Sequence, residues 1–115
     1  ALAQRADTTW FVESVYGIMV HWTDLSANVN GDEVSYKNAV ENFNVAKFVN
    51  MCETVGAGHV LFTLNHQHPH CPAPIQVWED MHPSWTTDRD LLGEIADGLA
   101  AKGIDFMIYI ASHLV

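Results

Sequence analysis

Three apolar runs without polar alternation stop on a histidine: Gly17-Ile18-Met19-Val20 before His21, Val60-Leu61-Phe62-Thr63-Leu64-Asn65 before His66, and Phe106 to Ser112 before His113. Continuous hydrophobicity is what a strand covered on both faces requires, so strands are predicted near 17–22, 59–65 and 104–111. Helical spacing lies between them. Val45, Phe48, Val49 and Cys52 recur at i, i+3, i+4 and i+7, with Asn44 to cap the start and Gly56 and Gly58 to stop the helix. Leu92, Ile95, Ala96 and Leu99 supply a second buried stripe, predicted to begin near Thr87 with Asp90 completing a box-like cap, and to end at Gly103. The crossovers are far longer than a hairpin allows, which implies parallel pairing. The polar stretch from Thr23 to about Asn42 and the proline-rich stretch after His66 read as loops. No repeat or linker divides the chain, so residues 1–115 read as one unit.

Alternating strands and helices suit either a doubly wound sheet or the opening of a barrel. A nucleotide-binding domain would place a Gly-rich loop after its first strand, and Trp22-Thr23-Asp24-Leu25-Ser26 has none. No cofactor is implied. The expectation is therefore α/β: the amino-terminal three β/α units of a (β/α)8 TIM barrel, apparently truncated, because a whole barrel takes about 250 residues. In such folds the chemistry gathers at the carboxyl ends of the strands, where the three histidines stand.

Composition narrows the partners. The formal charge is −9, from five Lys plus Arg against fourteen Asp plus Glu, and no basic cluster is present to neutralise phosphates, which argues against nucleic acid. No apolar stretch approaches the roughly 20 residues of a membrane span. Of the two cysteines, Cys52 falls on an apolar helical face and Cys71 in the proline-rich loop, so a disulfide framework has no support. Ala1-Leu2-Ala3 has the small-x-small form of a signal-peptidase site, which points to a secreted or periplasmic protein, with a cytoplasmic one as the alternative. The pattern leaves oligomeric state open.

Further motifs carry a resemblance. Trp10-Phe11 and Tyr16-Gly17-Ile18-Met19-Val20-His21-Trp22 resemble the aromatic lead and first strand of family 29 glycoside hydrolases, the α-L-fucosidases. Phe43-Asn44 through Val55-Gly56-Ala57 is similar to that family's helix ending in Ala-Gly-Ala, and His59 to His66 resembles its second strand running into Lys-His-His-Asp-Gly-Phe. Asp90-Leu91-Leu92-Gly93-Glu94 resembles its Asp-Leu-(Val/Leu)-Gly-Glu helix, and Lys102-Gly103-Ile104 into Tyr109 the approach to its third strand. The resemblance implies a barrel hydrolysing terminal fucosyl linkages with retention, one carboxylate attacking the anomeric carbon and a second carboxyl group acting as acid and then base. It places no catalytic residue within this chain, since the family's nucleophilic Asp follows a strand after the third; both carboxylates are expected beyond Val115. A unit cut from a barrel is also expected to expose apolar surface and unpaired strand edges, and so to dissolve poorly or self-associate.

The candidate carbohydrate contacts are His21, Trp22, His66, Gln67 and Trp78. His21 and His66 hold the family's histidine positions and can bond sugar hydroxyls; the plainer reading of each is a buried imidazole satisfied by a backbone carbonyl. Trp22 and Trp78 offer flat apolar faces to a pyranose, or are large core fillers. Gln67 stands where the motif has its second His and retains hydrogen-bonding capacity. Asn65 replaces the motif's Lys, His68-Pro69-His70 replaces Asp-Gly-Phe, Thr23 replaces a Gly, and Ile110 a Tyr, which alters specificity more than fold. His66, His68, His70 and Cys71 invite a metal reading, but without a recognised second ligand pair none is assigned. His82 and His113 read as rim residues, Asp24 and Glu33 as solvated acids, Glu79 and Asp80 as loop acids, and Asp90 and Glu94 as charges at a helix start. Two readings compete with the hydrolase: a non-catalytic carbohydrate-binding protein on the same fold, and a metal-dependent enzyme using the His66 to Cys71 loop.

Overall fold

The computed structural model describes residues 5–23, 26–27, 33–66 and 68–111; Ala1 to Ala3, Asp24, Gln67 and His113 lie outside the described residues. Strands β1 (Gly17–Val20), β4 (His59–Thr63) and β5 (Asp105–Tyr109) form a parallel sheet in the order β1-β4-β5. Val20 lies opposite Phe62, and Phe62 opposite Ile108. This is a mixed α/β unit. The central β4 is the most deeply buried strand, with Val60, Phe62 and Thr63 fully covered.

Helices α3 (Val45–Thr54) and α5 (Leu91–Ala100) cover one face of the sheet. Asn44 caps α3 as the spacing predicts, its side chain accepting from Lys47 N at 2.9 Å. The chain leaves α3 through Gly56 at φ +74°, a conformation that Cβ disfavours. Val49 and Cys52 of α3 meet Leu91, Leu92, Ile95 and Leu99 of α5 in the core, each large aliphatic side chain contributing about 2 kcal/mol of transfer free energy. Gly98 lets the helices approach, for a Cβ there would lie 2.8 Å from Val49 Cγ2. The opposite face of the sheet carries Met19, Leu61 and Met107. Helix α1 (Thr9–Glu13) crosses the amino-terminal end of that face, with Phe11 and Trp10 against the His59 ring.

Several boundaries differ from the sequence reading, each for a local reason. The strands stop earlier than 22, 65 and 111 because side chains take over from the ladder: Thr63 Oγ1 donates to Trp22 O at 2.7 Å and Ala111 N to Asn65 Oδ1 at 2.7 Å. The cap of α5 is Asp90, which accepts from Gly93 N at 2.9 Å, whereas the Thr87 hydroxyl donates to Arg89 O. The stretch predicted as a loop from Thr23 to Asn42 contains an antiparallel pair, β2 (Ser26–Ala27) with β3 (Glu33–Val34), and helix α2 (Tyr36–Glu41). That helix buries only Tyr36 and Val40, too few positions for a visible period. A further helix, α4 (Gln76–Met81), follows the prolines for the same reason, with Trp78 its one buried residue. Arg89 was silent in the sequence, yet its Nη1 donates to the carbonyls of Val40, Glu41 and Phe43 at 2.7, 2.9 and 3.1 Å. Its Nε and Nη2 engage Glu94, so one guanidinium ties the end of α2 to the start of α5. Among the described residues no helix is long and apolar enough to cross a membrane.

Candidate functional site

Because β1 and β4 run parallel in register, the chain leaves both at the same end of the sheet, and His21 and His66 meet there. Their rings stand edge to face, centroids 4.0 Å apart at 83°. His21 is exposed and His66 half-buried. Three polar atoms on residues that follow β1 and β4, Trp22 Nε1, Asn65 Nδ2 and His66 Nδ1, are buried without a hydrogen-bond partner among the described residues. Most buried polar atoms in folded proteins are paired, so three unspent ones within the same strand ends leave donor and acceptor capacity for a polar ligand. The frame beneath is firm: Thr63 holds the carbonyl of Trp22, Leu64 N donates to Tyr109 O at 2.9 Å, and Asn65 bridges to Ala111. Thr63 escaped the sequence reading, and Asn65 entered it only as the replacement for the motif's Lys; polar residues near the end of an apolar run were the available signal.

Trp22 is placed among rings, stacked on Phe62 at 5.9 Å and edge-on to Tyr36 and Phe43 at 6.3 and 5.4 Å. Its large faces are engaged in packing, and its Nε1–H is buried without a partner among the described residues. Trp78 lies on α4 rather than in a loop, is buried, and donates from Nε1 to Pro69 O at 2.7 Å. It braces the loop from beneath instead of walling a pocket.

The loop after β4 is an aromatic ladder. His70 stacks on Tyr36 at 4.1 Å and leans on Trp85 at 4.4 Å, and His68 stacks on Trp85 at 5.9 Å. Cys71 N donates to Trp85 O at 2.9 Å, and Cys71 forms a bridge with Thr86. Burial pushes the Cys71 thiol up to about 11, which disfavours the thiolate a metal would need. Among the described residues no group of three His, Cys, Asp or Glu side chains converges. Cys52 and Cys71 are both buried and free.

Four of the candidate acids are engaged in local bonds. Glu79 accepts from Ser84 N at 2.5 Å and from the Thr86 hydroxyl at 2.6 Å, and these bonds hold its carboxyl below the ordinary range. Glu94 is lowered by its bonds to Arg89, Asp90 caps α5, and Asp80 accepts from Gln76. Glu33 is exposed on β3. His82 follows α4, half-buried beside Trp78.

No protein-family model and no curated protein matches the chain. Solved structures do. A bacterial fucosidase with a monovalent iminocyclitol inhibitor is 20% identical at a TM-score of 0.65, over 93% of this chain and 30% of that one. An α-L-fucosidase of family GH29 from Bacteroides thetaiotaomicron is 20% identical at a TM-score of 0.64, over 93% of this chain and 30% of that one. The α-L-fucosidase AlfC from Lactobacillus casei, in complex with its α-L-fucose product, is 20% identical at a TM-score of 0.63, over 89% of this chain and 40% of that one. This chain thus spans well under half the length of these neighbours. The likeness is one of fold: a mixed α/β unit with a parallel sheet, matching part of the α-L-fucosidase fold.

Proposed function

We propose that the chain forms the sugar-orienting edge of an α-L-fucosidase-like glycoside hydrolase built on a (β/α)8 barrel, acting on terminal fucosyl linkages with retention. The observation that carries this reading is the edge-to-face pair of His21 and His66 at the carboxyl end of two parallel strands, where Trp22, Asn65 and His66 each bury a polar atom without a partner among the described residues. Imidazole nitrogens, the Trp22 indole N–H and the Asn65 amide offer both donors and acceptors, which is what a polyol with alternating hydroxyls needs. Gln67, adjacent to His66 in sequence, belongs to the same proposed contact set.

The covalent step is assigned to carboxyl groups supplied from outside this chain. Retention requires two of them about 5–5.5 Å apart across the anomeric carbon, and Glu79, Asp90 and Glu94 are committed to structural bonds. The role left to this chain is binding and orientation of the glycon, with export to a secreted or periplasmic location proposed for the protein.

Calorimetric titration with L-fucose tests the reading. Binding that weakens at least tenfold in His66→Ala, with the fold retained by circular dichroism, supports it; absence of binding, or binding indifferent to His66→Ala, overturns it. Release of the leaving group from an aryl fucoside by a longer form of the protein then separates a hydrolase from a carbohydrate-binding protein that only holds the sugar.

A further inference from the structure

Exposed apolar side chains are not spread evenly over the molecule. Six large ones, Phe11, Val12, Val15, Tyr16, Met51 and Val55, gather at the amino-terminal end of the sheet, the end away from the His21 and His66 rim. Phe11 and Val12 stand on α1, Val15 and Tyr16 in the turn that leads into β1, and Met51 and Val55 one turn apart at the end of α3. The Tyr16 hydroxyl donates to Val55 O, and Gly58 N donates to Tyr16 O at 3.0 Å, so the two segments are tied into one surface. Val12 keeps 80% of its surface exposed and Val15 87%.

Two observations mark this surface as built for contact. Six large side chains near half exposure or above make a patch on the order of 600 Å², the top of the range for a monomer, and patches of that size mark interaction sites. Val15 is also held at φ +60°, in the left-handed region that a β-branched residue disfavours, with no burial inside its own copy to offset the strain. Strain kept where the fold itself makes no use of the side chain points to a use outside the fold.

We infer that this patch binds the same patch on a second copy of the chain about a two-fold axis. Its area approaches, without reaching, the roughly 800 Å² that each partner gives to a standard interface, which fits a reversible dimer. The charges around it carry both signs: Glu13 on α1, and Glu53, between Met51 and Val55 in sequence, in an exposed ion pair with Lys102 at 2.9 Å. A border of both signs can meet its own copy under a two-fold axis, whereas a border of one sign would call for a partner of the other. The net charge of −9 sets the chain against an anionic lipid surface. Tyr16 precedes β1 and His21 follows it, so pairing through this end leaves both rims open, and the inference does not rest on the sugar-binding reading.

Sedimentation equilibrium from about 1 µM to 1 mM tests it. A reversible monomer–dimer equilibrium is expected, with no larger species. Val12→Asp is expected to weaken the dimer at least tenfold with its circular dichroism unchanged, since that side chain is exposed. Val15→Asn relieves the turn in the separate copy and removes contact surface from the pair, so it is expected to weaken the dimer about fivefold while leaving the dilute protein at least as stable. Affinity for L-fucose should not depend on protein concentration. A monomer across the whole range, or a dimer indifferent to Val12→Asp and Val15→Asn, overturns the inference. Open-ended association indifferent to both variants overturns it too, and assigns the contact to the strand edges. Cosedimentation with phosphatidylcholine vesicles by a chain that stays monomeric gives the patch to a lipid surface and overturns it as well.

Discussion

Two histidines at opposite ends of one strand have different fates. His59 begins β4 and is engaged in packing: its Nδ1 lies 2.7 Å from the Ser14 hydroxyl, and Phe11 and Trp10 pack on its ring at 4.8 and 6.1 Å. His66 follows the other end of β4, touches His21, and has a buried Nδ1 with no partner among the described residues. One end of the sheet spends its polar groups on closure and the other keeps them. Residue type does not distinguish structural from functional histidines here; the hydrogen-bond account at each end does.

The largest effect is expected where closure is tightest. A Cβ on Gly58 would lie 2.6 Å from Ser14 O and 2.8 Å from Ser14 Cα, backbone atoms that cannot step aside. Gly58→Ala should cost about 3 kcal/mol in urea unfolding, with the folded fraction binding L-fucose normally. His59→Ala comes next, losing a hydrogen bond and ring packing for about 2 kcal/mol. His66→Ala is the contrasting variant, expected to change stability by less than about 0.5 kcal/mol while weakening sugar binding at least tenfold. If His66→Ala unfolds the protein as His59→Ala does, the contrast between the two ends disappears.

How much of this contrast could be read from the residues depends on the range of the forces involved. The three strands, both long helices and the cap at Asn44 follow from short-range periodicity and side-chain bonding, so they are visible in sequence, whereas the cap of α5 was read at Thr87 and lies at Asp90. The alignment of His21 with His66 follows from parallel pairing of adjacent strands, one inference further. Glu79, Arg89, Tyr36 and Trp85 were opaque because their partners lie across turns whose geometry no local pattern encodes. Arg89 bonds carbonyls at Val40, Glu41 and Phe43, more than forty positions away. Trp78, read as a face for a sugar ring or as a core filler, lies on the short helix α4, which turns it inward.

Acid should separate the two ends in another way. The Glu79 carboxyl is held below its ordinary value near 4.5, chiefly by the Thr86 hydroxyl and then by Ser84 N. A lowered folded-state value means that the ionised form is favoured by folding. The stabilisation is therefore complete above the unfolded-state value and disappears as pH falls from about 4.5 through the lower folded-state value. The contacts of His59 with Ser14, Phe11 and Trp10 include no carboxylate. Nuclear magnetic resonance should show the Trp85 indole signal shifting below about pH 4.5 before the signals of β1 and β4 change, and Glu79→Gln should abolish that early step.

The smallest expected effect strengthens the closed end. Val15, in the turn from α1 to β1, adopts φ +60° although it is β-branched, and 87% of its surface is exposed. A β-branched side chain in the left-handed region is strained by about 1 kcal/mol or more, and nothing is gained from burying it. The turn is imposed from both sides: Gly58 N donates to Tyr16 O at 3.0 Å, and the Tyr16 hydroxyl donates to Val55 O. Val15→Asn keeps a side chain that tolerates this region and should raise stability by about 0.5–1 kcal/mol; Val15→Gly relieves the same strain but frees the unfolded chain, so it should gain less. Urea unfolding of the three proteins ranks them directly, and neither variant should alter sugar affinity. An order with Val15 most stable would mean that the turn is not held in the left-handed region, and the closed end of the sheet would lose the rigidity that sets it apart from the rim.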